Sequence, residues 1–224
     1  ATWNDFWLNE GFTTYFERRI QEEVYGPARS EMEALVEKRQ FLDEMKTLKA
    51  RDQILYIDLK GRDPEEGATQ VPYVKGMLLL RRLEELYGRE RFDAFLRGYF
   101  NHFSFRSITT GDFVSYLQEN LLNKQAYVPE KLGLEDWLTK PGLPANAPEP
   151  RSAALDEVTR QAQDWTSGKI ALNAIPAAKW STPEWQQFLM SLPASPDRAK
   201  MAELDRAFNL TKSGNAEIQF QWLL

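Results

Sequence analysis

The sequence predicts a mostly α-helical fold in two parts. Three observations carry that prediction. Apolar residues recur at three- and four-residue spacing, as in Met32, Leu35, Val36, Leu42, Met45 and Leu48. Glycine and proline fall in the order that ends one helix and starts the next, as in Gly26-Pro27. Only one short run, Gln53-Ile54-Leu55-Tyr56-Ile57-Asp58, reads as a strand or extended segment.

The first helix is expected from about Asp5 to Tyr25. A second runs from Ala28 to about Ala50, rich in the strong helix formers Glu, Lys, Arg, Leu and Met. Residues 60–70, KGRDPEEGATQ, form a polar loop of a length that often carries function. Val71-Pro72-Tyr73 then leads into a helix to Tyr87. Pro72 is tolerated in its first turn, and Gly88 ends it. Helices follow at about Glu90–Asn101 and Asp112–Leu122, the latter capped from the run Ser107 to Asp112. Glu135-Asp136-Trp137-Leu138 is a short amphipathic piece. Pro141, Pro144, Pro148 and Pro150 exclude a helix there and mark a linker at 144–151, between domains at 1–143 and 152–224. Beyond it, Leu155, Val158, Ala162 and Trp165 define one helix. Thr182 is expected to cap another with Pro183 behind it, and Ser195-Pro196-Asp197 repeats that start. Short helices with such punctuation suggest stacked antiparallel pairs.

Composition narrows the chemistry. With 28 basic and 33 acidic residues the chain has a net charge of −5, which gives no electrostatic footprint for nucleic acid or an anionic membrane. No apolar run approaches the roughly 20 residues that span a bilayer. There is no cysteine, so disulfides, thiolate metal sites and thiol nucleophiles are excluded. His102 is the only histidine, which excludes any site needing two imidazoles from this chain; it reads as a helix-end residue. Ala1 is not an initiator methionine, and Ile218 to Leu224 reads as a helix with no stop signal. A segment of a longer polypeptide is expected. The absence of cysteine and of a visible anchor points to a cytoplasmic protein.

The densest chemistry lies in Trp3-Asn4-Asp5-Phe6-Trp7-Leu8-Asn9-Glu10-Gly11-Phe12-Thr13-Thr14-Tyr15-Phe16-Glu17. Glu10 and Glu17 are almost two helical turns apart and share a face. Two acids inside an aromatic stretch cost free energy unless water, a base or a metal pairs with them. Glu17 can equally form a surface pair with Arg18 or Arg19, and Tyr73 can simply pack.

Trp7-Leu8-Asn9-Glu10-Gly11-Phe12, followed by Tyr15 and Glu17, resembles the third-zinc-ligand segment of gluzincin aminopeptidases. Val71-Pro72-Tyr73-x-Lys75-Gly76, Phe105-x-Ser107-Ile108-Thr109-Thr110, Trp137-Leu138-x-x-Pro141-Gly142-Leu143-Pro144 and Ala216-Glu217-Ile218-x-Phe220-x-Trp222 are similar, in order, to its leukotriene A4 hydrolase and aminopeptidase B branch. The resemblance implies the helical lobe of a thermolysin-like catalytic domain, then an α–α superhelical, armadillo-like C-terminal domain. It also implies a zinc metallo-aminopeptidase that takes peptide substrates. On that basis Glu10 is the zinc ligand, Glu17 the acid that orients a ligand histidine, and Tyr73 the oxyanion stabiliser. Trp3, Phe6, Pro64 and Pro72 then line the substrate cavity.

Departures accompany the resemblance. The family's His-Glu-x-x-His motif, with two zinc ligands, is not in this chain; it is expected just before Ala1. The Gly-x-Met-Glu-Asn element is absent too. This chain alone is therefore expected to be zinc-free and inactive. Epoxide hydrolysis of leukotriene A4 is less well matched: Ala68 stands where a tyrosine is expected, and Glu65 where an aspartate is. The alternative to an enzyme is a helical scaffold that binds partners without chemistry. A glycosidase acid pair at Glu10 and Glu17 finds no second acid motif.

Overall fold

The protein is described by a computed structural model covering residues 2–122, 132–193, 195 and 197–224. Among these residues it is helical, with no strand. The chain divides into two compact units. One comprises Ala1–Ser30 and Glu37–Glu149, the other Glu31–Val36 and Pro150–Leu224.

The first unit starts with a 3-10 turn, Trp3–Asp5, where one continuous helix from Asp5 is expected from sequence. Thr2 caps it, and Asp5 folds back onto the Thr2 amide at 2.9 Å. That reciprocal pairing stops the turn from merging with helix α1, Trp7–Tyr25. Gly26 closes α1 and leads into α2, Pro27–Met45. α2 is shorter than its composition suggests: the Thr47 hydroxyl takes up the Glu44 carbonyl at 2.8 Å, and a separate 3-10 turn forms at Ala50–Gln53.

Residues 54–59 form neither helix nor ladder and bend at Leu55 and Tyr56. Leu55, Ile57 and Leu59 are buried while Tyr56 and Asp58 are exposed, so the alternation expected of a strand is present without a strand partner. The polar loop follows, with a 3-10 turn at Pro64–Gly67. A wide π-helical turn, Val71–Lys75, precedes α3, Gly76–Tyr87. α4 is Arg89–His102 and α5 Thr110–Leu117, the latter capped by Thr109 with Asp112. A second π turn, Gln118–Leu122, ends the expected 112–122 helix early. Helix α6 is Leu134–Thr139.

α3 is the spine of this unit. Met77, Leu78, Leu79, Leu80 and Leu83 are all buried, so it is wrapped on most sides. α1 lies against it with Trp7, Leu8, Phe12 and Tyr15 inward. Phe12 stacks on Tyr99 of α4 with ring centres 5.3 Å apart. Trp7 Nε1 donates to Thr110 Oγ1 at 3.0 Å, a buried tie across 103 residues of sequence. Polar ties fix the register of α1: Arg19 grips Asp93 through two bonds of 2.9 and 3.0 Å, and the Tyr15 hydroxyl donates to Glu84 at 2.5 Å.

The second unit contains α7 (Ala153–Thr166), α8 (Thr182–Met190), α9 (Arg198–Phe208) and α10 (Ala216–Leu223). α8 packs on α7 and on α10. Its core holds Val158, Ala162, Trp165, Phe188, Leu189, Leu204 and Leu210. Leu155 packs separately with Met32 and Leu35. The cap of α8 is Ser181 rather than Thr182, because Ser181 forms the reciprocal pair with Glu184 and Thr182 becomes the first helical residue. α9 is capped by Asp197; Pro196 of the expected start lies outside the described residues. No described helix is long and apolar enough to cross a membrane.

Candidate active site

Glu10 sits in the first turn of α1, half-buried. Among the described residues its carboxylate has no hydrogen-bond or ion-pair partner. The half-buried Tyr73 is carried by the π turn, and its hydroxyl is likewise unpartnered among the described residues. The two groups feel each other. Burial raises the Tyr73 pKa above its usual value, and the negative charge of Glu10 raises it further. The hydroxyl is therefore held in its donor form.

What brings these residues together is a contact between backbones. A Cβ built on Gly11 would lie 2.9 Å from Gly76 Cα and 3.3 Å from the Pro72 carbonyl oxygen. One built on Gly76 would lie 2.8 Å from Gly11 Cα. Only glycine allows α1 to approach the start of α3 so closely. Gly11 follows Glu10, and Pro72 precedes Tyr73, so this contact adjoins both candidate groups.

Lys75 fixes the same turn from the other side. It is fully buried, and Nζ donates to the Lys140 carbonyl at 2.8 Å and the Gln53 carbonyl at 3.1 Å. Burial without a carboxylate pushes its pKa down to about 8.

A cavity of about 400 Å³ adjoins the turn. Trp3, Phe6, Pro64 and Pro72 all contribute to its wall, as do Glu65 and Ala68. Neither Glu10 nor Tyr73 is in the wall, but the wall residue Phe6 meets Tyr73 edge-on at 6.0 Å, and Trp3 meets Phe6 at 5.7 Å. The polar loop that forms one side is clasped by Arg62, which donates to Asp52 at 2.5 Å and to Glu66 at 2.9 Å.

Glu17 stands apart from this group. Its side chain is 54% exposed, lies 3.7 Å from Arg18 and accepts from Gln21 at 3.3 Å. His102, the last residue of α4, packs edge-on against Phe103 and beside Tyr116. Among the described residues no group of three or more His, Cys, Asp or Glu side chains is arranged to hold a metal. Glu10 thus fits a metal as a single carboxylate ligand.

The model of the peptidase family M1 domain matches residues 1–132. The chain belongs to peptidase family M1. Leucine aminopeptidase 2 of Coccidioides immitis is 29% identical over 235 residues, covering 100% of this chain and 38% of the relative. Human aminopeptidase B is 29% identical, covering 99% and 36%. Among solved structures, yeast LTA4 hydrolase in complex with bestatin superposes with a TM-score of 0.86 at 28% identity, covering 99% of this chain and 40% of that one. This M1 chain therefore spans under half the length of the relatives it matches.

Two features of the site were not singled out from sequence. One is the glycine contact: Gly11 and Gly76 stand in the quoted motifs, but neither was given a role, since an isolated glycine inside a helical pattern does not say what it packs against. The other is the anchor at Lys75, since a lysine at a helix start reads as solvated until its burial is known.

Proposed function

We propose that this chain is the distal part of a zinc-dependent aminopeptidase, residues 1–143 belonging to the catalytic domain and 152–224 opening a helical, armadillo-like C-terminal domain, joined by a linker at 144–151. The observation that carries the reading is the pairing, in an M1 chain, of a carboxylate and a hydroxyl that are both unpartnered among the described residues, with an apolar cavity adjoining the turn that bears the hydroxyl.

In this reading Glu10 supplies one zinc ligand, and the remaining ligands come from outside residues 1–224. Bound zinc would supply Lewis-acid polarisation of the scissile carbonyl and an activated water. Tyr73 donates its hydroxyl hydrogen to the developing oxyanion, and its raised pKa keeps that hydrogen in place at neutral pH. Trp3, Phe6, Pro64 and Pro72 receive the apolar part of a peptide substrate. Glu17 orients a ligand histidine supplied from outside the chain, which is consistent with the exposure of its carboxylate here. The protein acts in the cytoplasm. Residues 1–224 on their own hold no zinc tightly and cleave no peptide.

The test is metal content and peptide turnover of the full-length protein. Glu10→Gln is expected to lose zinc. Tyr73→Phe should keep zinc and lose about 10²–10³ in kcat, the scale of one oxyanion donor. Full zinc occupancy in Glu10→Gln would refute the ligand assignment. One tightly bound zinc in residues 1–224 alone would refute the reading that the other ligands lie elsewhere.

A further inference from the structure

We propose that Gly76 and Lys75 are positioning residues: the backbone contact of Gly76 with Gly11, and the anchoring of Lys75 Nζ on two main-chain carbonyls, hold the turn bearing Tyr73 at its working distance from Glu10. This rests on the roles proposed above for Glu10 and Tyr73.

The contact is placed where a small change is transmitted directly. Gly11 is covalently next to Glu10. The atoms that a Cβ on Gly11 or Gly76 would strike first are backbone atoms of the opposing segment. A flexible side chain could swing aside from a new methyl group, but backbone cannot. To restore ordinary carbon–carbon contact from 2.8 Å, α1 and the turn must part by roughly 0.5–1 Å. Gly11 adjoins Glu10 and Gly76 follows the turn that bears Tyr73, so such a parting changes the spacing of the two groups.

The turn is a short π turn, wider than an α turn. Pro72 has no N–H to donate within it. Lys75 adds support from outside the turn. Its two acceptors belong to different segments: the 3-10 turn that contains Gln53, and the residue after α6, Lys140. The end of the Tyr73 turn is thereby referenced to two parts of the first unit at once. A purely structural filler at this buried position would be apolar, since burying an ammonium group without a carboxylate is costly. The lysine is retained where it can reach carbonyls that an apolar side chain would leave unbonded.

The experiment compares Gly76→Ala, Lys75→Met, Tyr73→Phe and the double variant Tyr73→Phe/Gly76→Ala in the full-length enzyme, with zinc content and folding measured on each. Gly76→Ala is expected to keep zinc and KM within about threefold while kcat falls about 10- to 100-fold, as misplacement by up to an ångström does. The double variant should be no slower than Tyr73→Phe by more than about twofold, because both changes act through one hydroxyl. A crystal structure of Gly76→Ala should show the Tyr73 turn displaced from α1. Wild-type kcat in a folded, zinc-loaded Gly76→Ala overturns the proposal, and so does a double variant whose losses multiply. Should Gly76→Ala not fold, Lys75→Met adds no atoms at the helix contact and decides the matter by the same kcat criterion. A fast Tyr73→Phe sinks the role of Tyr73 and this proposal with it. A slow Tyr73→Phe beside a fast Gly76→Ala overturns the positioning role alone.

Discussion

Lys75 carries its ammonium group into a fully buried position, where it donates to two carbonyl oxygens. In the folded protein it titrates near 8, well below the roughly 10.4 of an unfolded lysine. Below pH 8 both states are protonated and the burial cost is borne in full. Between about 8 and 10.4 the unfolded chain binds more protons than the folded one, so this residue makes stability rise with pH. The slope approaches about 1.4 kcal/mol per pH unit within that window. Urea unfolding of the wild type and of Lys75→Met from pH 7 to 10 checks it. The wild type should gain on the variant as pH rises, and a constant difference would show that Lys75 is not titrating in the fold. Other groups that ionise in this range cancel in the comparison. Glu10 presents the opposite case: a half-buried acid without a partner among the described residues, whose meaning lies in what it could bind.

Among the elements, the entrance turn Trp3–Asp5 owes its place to one acid. Asp5 Oδ1 accepts the buried Thr110 amide at 2.7 Å, while Oδ2 accepts the Thr2 amide. Burial opposes ionisation of Asp5, but the bonds from Thr110 and Thr2 outweigh it and hold its pKa below the usual value. Its stabilisation is therefore complete above the ordinary aspartate pKa and is lost as pH falls through the lower folded value. Asp5→Ala should cost about 2–3 kcal/mol at neutral pH, since the Thr110 amide is left unsatisfied. Thermal melts should show that gap closing in acid; a gap that persists at low pH would refute it. The turn also explains what was legible. Helix existence along the chain followed from periodicity and Gly/Pro punctuation, whereas the roles of Glu10, Tyr73, Trp3, Phe6, Pro64 and Pro72 came only from the family resemblance and stand as proposals. Breaks marked by glycine, at Gly26 and Gly88, were legible; those at Asp5 and Tyr73 were not, because Asp5 is also held by Thr110 and the turn at Tyr73 packs against Gly11. The run 54–59 showed strand alternation because its alternate residues are buried. Pairing depends on a neighbouring strand, which no local pattern reports.

For the molecule as a whole, the division into two units makes stability a local quantity. The second unit is small, and small units sit at the low end of domain stability because they bury a lower fraction of their surface. Phe188 is fully buried at its centre, with Trp180 at 5.1 Å and Trp165 at 6.1 Å. Phe188→Ala removes an aromatic ring from a packed core and should cost about 3–5 kcal/mol. A loss of that size is most of what such a unit has, so the damage should be confined to it. Hydrogen exchange read by mass spectrometry is the direct check. Amides of α7 and α8 should lose protection, while those of α3 and α4, buried in the first unit's own core, should keep theirs. α2 supplies an internal control, since Glu31–Val36 is assigned to the second unit and the rest of that helix to the first. Met32 and Leu35 pack with Leu155, so protection in the Glu31–Val36 stretch should fall with α7 rather than stay with α3. Equal loss of protection in α3 and α7 would mean that the chain unfolds as one cooperative body. The helical lobe bearing Glu10 and Tyr73 would then depend on the integrity of the second unit.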